Sequence, residues 1–397
     1  MAGGAVVIHA MNTPPAVSLT ADSGHQRQDA RGVPARFRLS WRFSTLDNHN
    51  DPTFNQLLGI NDQDQIAGYF GSGAQEHPNQ GYLLLLSRGS RGPSQYVNEN
   101  FPGAVQTQVT GLNNRGVTVG FWSGQNTASQ MNANLGFYTW EGRSYSVAFP
   151  ARDNSSPPVN QLLGVNDAAM AVGFWTDAKG TAHGYTYSIA SGQFHSVIVP
   201  GSLSDTATGI NDRGAISGFY TGPAGVTRAF MEGPGGRITR LTFPGATATQ
   251  AFGINNRGEV VGTYMTGSGN SAKSFGFTWT RQAGFRSISA PLGRGRTTIN
   301  GVNDAGDLVG FYTGPAGRTH GLLWAAGHFT APPAPPVTSP TMAPAISVTP
   351  IVSARPSMTA APSMTPTVLP TVPTQTSPPV TVPPAPNPSA SPPGGPW

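Results

Sequence analysis

Residues 209–220 read Gly-Ile-Asn-Asp-Arg-Gly-Ala-Ile-Ser-Gly-Phe-Tyr, and the chain returns to this frame until it has been written six times. The leading glycines are Gly59, Gly111, Gly164, Gly209, Gly253 and Gly301, at intervals of 52, 53, 45, 44 and 48 residues. One position on stands an aliphatic residue (Ile60, Leu112, Val165, Ile210, Ile254, Val302). Two positions on stands an asparagine (Asn61, Asn113, Asn166, Asn211, Asn255, Asn303). A second glycine falls at the ninth position (Gly68, Gly120, Gly173, Gly218, Gly262, Gly310) and an aromatic at the eleventh (Phe70, Trp122, Trp175, Tyr220, Tyr264, Tyr312). A recurrence of this length marks an array in which each copy is one supersecondary unit.

Within the fourth copy, Ala207 to Asn211 reads as a short strand, Asp212-Arg213-Gly214 as a turn and Ala215 to Thr221 as a second strand. Asn and Asp can bond their own backbone in such a turn, and glycine supplies positive φ. The turn glycine recurs as Gly116, Gly258 and Gly306, but Asp64 and Ala169 replace it in two copies. Alanine fits the left-handed region poorly, so the Ala169 hairpin is expected to use another turn. A third strand follows a Gly/Pro-rich connection (Thr227 to Met231, His320 to Trp324). A fourth alternates in polarity and ends at a proline, as in Ile238 to Pro244 and Phe194 to Pro200. Four short strands split by turn signals make an antiparallel blade.

The expected fold is therefore all-β: a β-propeller of about six four-stranded antiparallel blades, with disordered N- and C-terminal segments. A right-handed β-helix is the competing architecture; four strands per repeat suit blades better. The stretch from Phe37 to Leu46 resembles a fourth strand and stands ready to complete the last blade, for which Gly327 to Ala331 offers only a weak outer strand. On the inner strand the leading glycine and the asparagine share a face, where glycine admits a close neighbour. A buried asparagine amide must be satisfied, so the six equivalents are expected to bond main chain around the ring. That structural reading is preferred to a ligand or metal role.

The stretch 209–218, together with His-Gly-Leu-Leu-Trp at 320–324, resembles the bacterial HAF repeats, whose pattern is Gly-Ile-Asn-x-x-Gly-x-Val-Val-Gly followed by His-Ala-Phe-Leu-Trp. The resemblance covers about 54–324 and implies an extracellular repeat protein, with nothing specific about activity. The histidine slot of that pattern holds Gln80, Leu135, His183, Arg228, Phe275 and His320, which excludes a catalytic duty common to every blade. Two longer echoes point to duplication within the chain: Asn55 to Asp62 returns as Asn160 to Asp167, and Gly218 to Gly225 returns as Gly310 to Gly317.

The domains expected are a disordered segment 1–36, the six-repeat propeller at 37–331, and a Pro/Ser/Thr-rich tail at 332–397 in which Arg355 is the only charge. Such a tail cannot bury enough apolar area to offset its ordering entropy, and its composition is that of a surface stalk. Ala5-Val-Val-Ile8, with no basic residue before it, makes a poor secretory signal. An extracellular or cell-surface address is nonetheless expected from the resemblance. The chain has no cysteine and no apolar run long enough to span a membrane. Its net charge of +5 rests on scattered arginines, of which Arg294 and Arg296 are the tightest pair, so nucleic acid is not an expected partner.

No nucleophile elbow, metalloprotease motif or phosphate loop appears, and neither a cofactor nor a metal is expected. Asp62, Asp167, Asp212 and Asp304 share one turn slot with Asn114 and Asn256, an exchange that a turn tolerates and a general acid does not. Glu76, Glu99, Glu141, Asp153 and Asp205 read as non-repeating carboxylates, the candidates for a glycosidase pair. His183, His320 and His195 lack a companion carboxylate motif. The function expected is a non-catalytic binding module, monomeric, taking a glycan, cell-wall polymer or surface protein. A propeller-type polysaccharide hydrolase or lyase is the alternative.

Overall fold

Five copies of the repeat each fold into four antiparallel strands, laid side by side in chain order from the axis outward, and the sixth supplies the first three strands of its blade. The computed structural model describes residues 41–88, 94–124, 133–326 and 329–330. The segments 1–36 and 332–397 lie outside the described residues. The fourth blade comprises Ser204–Ile210, Ile216–Thr221, Thr227–Glu232 and Ile238–Leu241. Its first strand begins three residues before the expected Ala207 because Ser204, Asp205 and Thr206 continue the ladder against Thr221, Tyr220 and Phe219. Six sheets of this kind stand around one axis, which makes the fold a six-bladed β-propeller.

Closure of the ring follows the sequence expectation. Trp41–Thr45 pairs antiparallel with Thr319–Ala326 in five registered positions, Trp41 against Ala326 through Thr45 against Leu322, and serves as the fourth strand of the sixth blade. Leu46 N–H then donates to Gly321 O, and the Thr45 and Tyr312 hydroxyls lie 2.8 Å apart. Phe329–Thr330 does not join that blade; it pairs instead with Ser87–Arg88 beside the first.

The hairpins share one turn. In every copy the asparagine N–H donates to the carbonyl four residues on, as Asn211 does to Ala215 and Asn166 to Met170. The left-handed position is held by Asp64, Gly116, Ala169, Gly214, Gly258 and Gly306. The Ala169 hairpin thus keeps the common turn with φ of 55°, contrary to the expectation of a different one. Asn166 Oδ1 accepts the N–H groups of Ala168 and Met170 and overrides the alanine's preference.

Two regular features had no counterpart in the strand reading. A β-bulge interrupts every first ladder just before the leading glycine, between Leu57 and Gly59, Val109 and Gly111, Leu162 and Gly164, Ala207 and Gly209, Ala251 and Gly253, and Ile299 and Gly301. The residue four before that glycine caps the connection from the preceding blade in all six copies. Side-chain oxygens of Asn55, Thr107, Asn160, Asp205, Thr249 and Thr297 accept the N–H of Asn48, Phe101, Phe149, Val199, Phe243 and Ala290. Three of these connections carry a phenylalanine that stacks on the eleventh-position aromatic of the next blade. Phe101 meets Trp122 at 4.3 Å, Phe149 meets Trp175 at 5.2 Å and Phe243 meets Tyr264 at 3.6 Å.

The core is divided accordingly into six apolar clusters, one between each pair of neighbouring blades. Leu57, Ile66 and Leu84 pack against Val309 and Leu323 where the first blade meets the sixth. Alternation along each strand supplies one face to each neighbour, so both faces of the inner strands are apolar.

Two opposed substitutions test this description by urea unfolding. Ala169→Gly should stabilise the protein by about 1 kcal/mol, because it relieves a side chain in the left-handed region. Gly164→Ala should destabilise it by about 1–3 kcal/mol, since the added Cβ would meet Thr208 O at 2.8 Å and the Cα of Gly209 at 3.1 Å.

Candidate functional site

The axis is organised by three positions of the repeat: the leading glycine and the residues two and three beyond it. Innermost are the leading glycines. A Cβ built on Gly59 would meet the Cα of Gly111, one on Gly111 that of Gly164, and so on through Gly209, Gly253 and Gly301 back to Gly59, at 3.1–3.3 Å. The second glycines stand outside this ring. At Gly120 and Gly218 a Cβ would meet Phe137 and Phe230 of the third strand, at 2.9 Å and 2.7 Å. Gly68, Gly173, Gly262 and Gly310 likewise lie against the main chain of their own first strand.

Two residues beyond the leading glycine, the asparagines form a closed hydrogen-bond ring. Nδ2 of Asn61 donates to Asn113 O, that of Asn113 to Asn166 O, Asn166 to Asn211 O, Asn211 to Asn255 O, Asn255 to Asn303 O and Asn303 to Asn61 O, at 2.9–3.3 Å. The Oδ1 atoms turn back to their own hairpins; that of Asn211 accepts from Arg213 and Ala215. Every asparagine is buried, so each of these bonds satisfies a group cut off from water.

One position further, Asp62, Asn114, Asp167, Asp212, Asn256 and Asp304 close a third ring. Each backbone N–H donates to Oδ1 of the next blade's side chain, at 2.7–2.9 Å. The two amides also bridge carboxylates: Asn114 Nδ2 donates to Asp62 and Asp167, and Asn256 Nδ2 to Asp212 and Asp304. All four carboxylates therefore have both oxygens taken up. The slot read as a turn position also links the blades, with its side chains at the axial mouth, a cavity of about 70 Å³ lined wholly by repeat positions.

A second axial cavity, of about 50 Å³, is lined mainly by the bulge residues Leu58, Thr110, Leu163, Thr208, Phe252 and Asn300. Its pattern has a two-blade period. Thr110, Thr208 and Asn300 donate to Leu162 O, Ala251 O and Leu57 O of the next blade, while the intervening residues are apolar.

The carboxylates read as non-repeating do not converge on the mouth. Glu76, Glu141 and Asp153 are exposed, and Glu99 accepts a bond from Thr118 Oγ1. Asp205 requires correction: it occupies the capping slot four before the leading glycine, where other blades carry Asn or Thr. Val199 N–H and Ser202 Oγ donate to it, and burial holds its carboxyl above the usual range. The repeat histidines do have companions. His183 lies 3.1 Å from Asp177 and stacks on Trp175; His320 lies 2.7 Å from Asp47 and packs on Tyr312. His195 is exposed on the outer strand of the third blade.

A different site opens between the fifth and sixth blades, at the end of the propeller that carries the axial mouth. This cleft, of about 270 Å³, is bounded by Arg257, Glu259, Thr278, Arg286, Ile288, Ala305, Gly306, Leu308 and Trp324. Ile288 and Leu308 are buried and give it an apolar floor. Phe43, from the closing strand, stacks on Trp324 at 5.3 Å, and the Arg286 guanidinium lies 5.5 Å from the indole centroid. Arg257 approaches Glu259 at 4.0 Å. An aromatic wall, two guanidinium groups and a carboxylate over an apolar floor can bind a ligand with both an apolar face and polar substituents. Sequence reading missed this cleft because its members come from four strands and two turns. The available signal was departure from the repeat: Arg286 aligns with Tyr145, His195 and Thr239 by register.

No family model matches the chain, and no curated protein does. Among solved structures it is similar to a mutant of the Aleuria aurantia lectin in complex with Fucalpha1-6GlcNAc, at 12% identity and TM-score 0.43 over 72% of this chain and 98% of that one. It is also similar to TolB from Acinetobacter baumannii, at 12% identity and TM-score 0.38 over 67% of this chain and 65% of that one. The β-propeller domain of the Trilobed protease from Pyrococcus furiosus matches at 10% identity and TM-score 0.38, over 72% and 99%.

Two substitutions separate the role of the asparagine ring from that of the capping slot. Asn211→Ala strips partners from the buried Asn255 carbonyl and Ala215 N–H and should cost about 3 kcal/mol in urea unfolding. Asp205→Asn keeps the cap while removing a buried charge, so it should be neutral or stabilising at pH 7. Because burial raises the carboxyl pKa in the folded state, the cost of the charge is present above that pKa and vanishes as pH falls below the unfolded value. Any advantage of the asparagine should therefore fade in acid.

Proposed function

We propose that this propeller is a non-catalytic binding module for saccharides, and that its ligand occupies the cleft between the fifth and sixth blades. The observation that carries the reading is the composition of that cleft. Trp324 is braced by Phe43 against an apolar floor, beside hydrogen-bonding groups from Arg257, Glu259 and Arg286. Sugars present alternating apolar faces and hydroxyl edges, and an indole with charged donors and acceptors around it complements both. Three charged side chains lining one open cleft distinguish it from the axial mouth, where the carboxylate oxygens already accept bonds within the ring.

The address proposed is extracellular or on the cell surface. Support comes from the resemblance of 54–324 to HAF repeats and from the Pro/Ser/Thr composition of 332–397, which suits a stalk carrying the module away from a surface. A glycoside hydrolase would need two carboxylates flanking one bond. Among the described residues, Glu259 is the one carboxylate in the cleft, which favours binding over hydrolysis.

Probing a glycan array with the full chain tests the reading directly. Wild type should bind a restricted set of saccharides, and Trp324→Ala, shown by circular dichroism to retain its β-signal, should lose them. A wild-type protein that binds nothing on the array, or a Trp324→Ala variant that binds the same set as strongly, would overturn it.

A further inference from the structure

Granted a saccharide ligand, on which this inference rests, the cleft also indicates a class of sugar. We infer that the cleft between the fifth and sixth blades selects a sugar bearing an anionic group, a carboxylate or a sulfate, which the guanidinium groups of Arg257 and Arg286 receive while the ring packs on Trp324.

Charge is the first support. Two guanidinium groups face one carboxylate, Glu259, so the cleft carries an excess of positive charge. The second is availability. Arg286 is exposed and enters no ion pair among the described residues; its guanidinium is positioned instead over the Trp324 indole. Arg257 reaches Glu259 only at 4.0 Å, with 57% of its side chain exposed, which leaves most of its N–H donors unspent. A planar guanidinium matches the two oxygens of a carboxylate or sulfate and bonds them more strongly than a neutral hydroxyl. Held against an aromatic wall, Arg286 loses little further freedom when the anion arrives.

The third support is local singularity. The register position of Trp324 holds Leu84, Thr139, Tyr187, Glu232 and Trp279 in the other blades. Trp279 recurs between the fourth and fifth blades, but there the position of Arg286 is taken by Thr239. Between the second and third blades the two positions hold Tyr145 and Tyr187, aromatics without the arginine. Selection for the repeat explains the rings at the axis; it does not explain an arginine and a tryptophan brought together in one slot of the six.

Isothermal titration of the full chain with matched saccharides decides the matter. The probes are trigalacturonate, the same trimer as its methyl ester, and a sulfated disaccharide with its desulfated form. Trigalacturonate or the sulfated sugar should bind about tenfold or more tightly than its uncharged match, and added salt should weaken the charged ligand selectively. Arg286→Ala should erase most of that preference without unfolding the protein, and Arg286→Lys should restore only part of it. A preference for sulfate alone would support the anionic reading and name its source. Equal binding of charged and uncharged partners, unmoved by Arg286→Ala, would overturn this inference and leave the saccharide module standing. Failure of every probe, charged and uncharged, in a protein that also binds nothing on a glycan array would overturn both.

Discussion

Contact between main chains at the axis sets the dimensions of this propeller. Six glycines stand so close that a Cβ on any of them would come within 3.1–3.3 Å of its neighbour's Cα. Blades that meet without side chains can converge tightly, and the widening space beyond is filled by progressively larger groups. Leu57 and its equivalents come first, then the third-strand aromatics Phe137, Tyr185, Phe230 and Phe277, then the stacked pairs such as Phe243 on Tyr264. The bulge preceding each glycine belongs to the same constraint, since it bends the inner strand just where the close approach occurs.

Main-chain proximity also solves a hydrogen-bonding problem. Six hairpin ends at one axis leave carbonyls and N–H groups that cannot all be solvated, and the asparagine ring and the Asp/Asn ring satisfy them through the next blade in turn. A circular relay has no terminal member, so no group is left over. The outer edges are handled differently: fourth strands are four or five residues long and run into a proline at Pro150, Pro200, Pro244 and Pro291, which limits their use as templates for further strands.

The repeat made the architecture legible in advance, including the number of blades, because glycine, asparagine and aromatic spacings report directly on backbone geometry; the closing strand lies outside the repeat, and only a fourth-strand pattern over 37–46 hinted at it. Features carried by chemical class rather than residue identity stayed hidden. The capping slot holds Asn, Thr, Asn, Asp, Thr and Thr, which share only a side-chain oxygen, and so Asp205 looked like an isolated carboxylate. The Ala169 hairpin keeps the common turn against its residue's local preference because Asn166 Oδ1 accepts two N–H groups there, a side-chain support that propensity does not show. The inter-blade cleft was hidden for another reason: Arg257, Arg286 and Trp324 lie on separate strands and turns, and only the packing of two blades makes them neighbours.

The closing strand has a bearing on how the molecule is made. Trp41–Thr45 leaves the ribosome before any blade, yet its partner Thr319–Ala326 is nearly the last stretch of the ring to be synthesised. The first described strand therefore waits for its partner until the sixth blade is made, and five blades can stack while the circuit of asparagines stays open. Ring closure is the most distant contact among the described residues and carries the largest loop entropy. Its position also means that the ligand cleft beside it, where Phe43 braces Trp324, is finished only when the circle is.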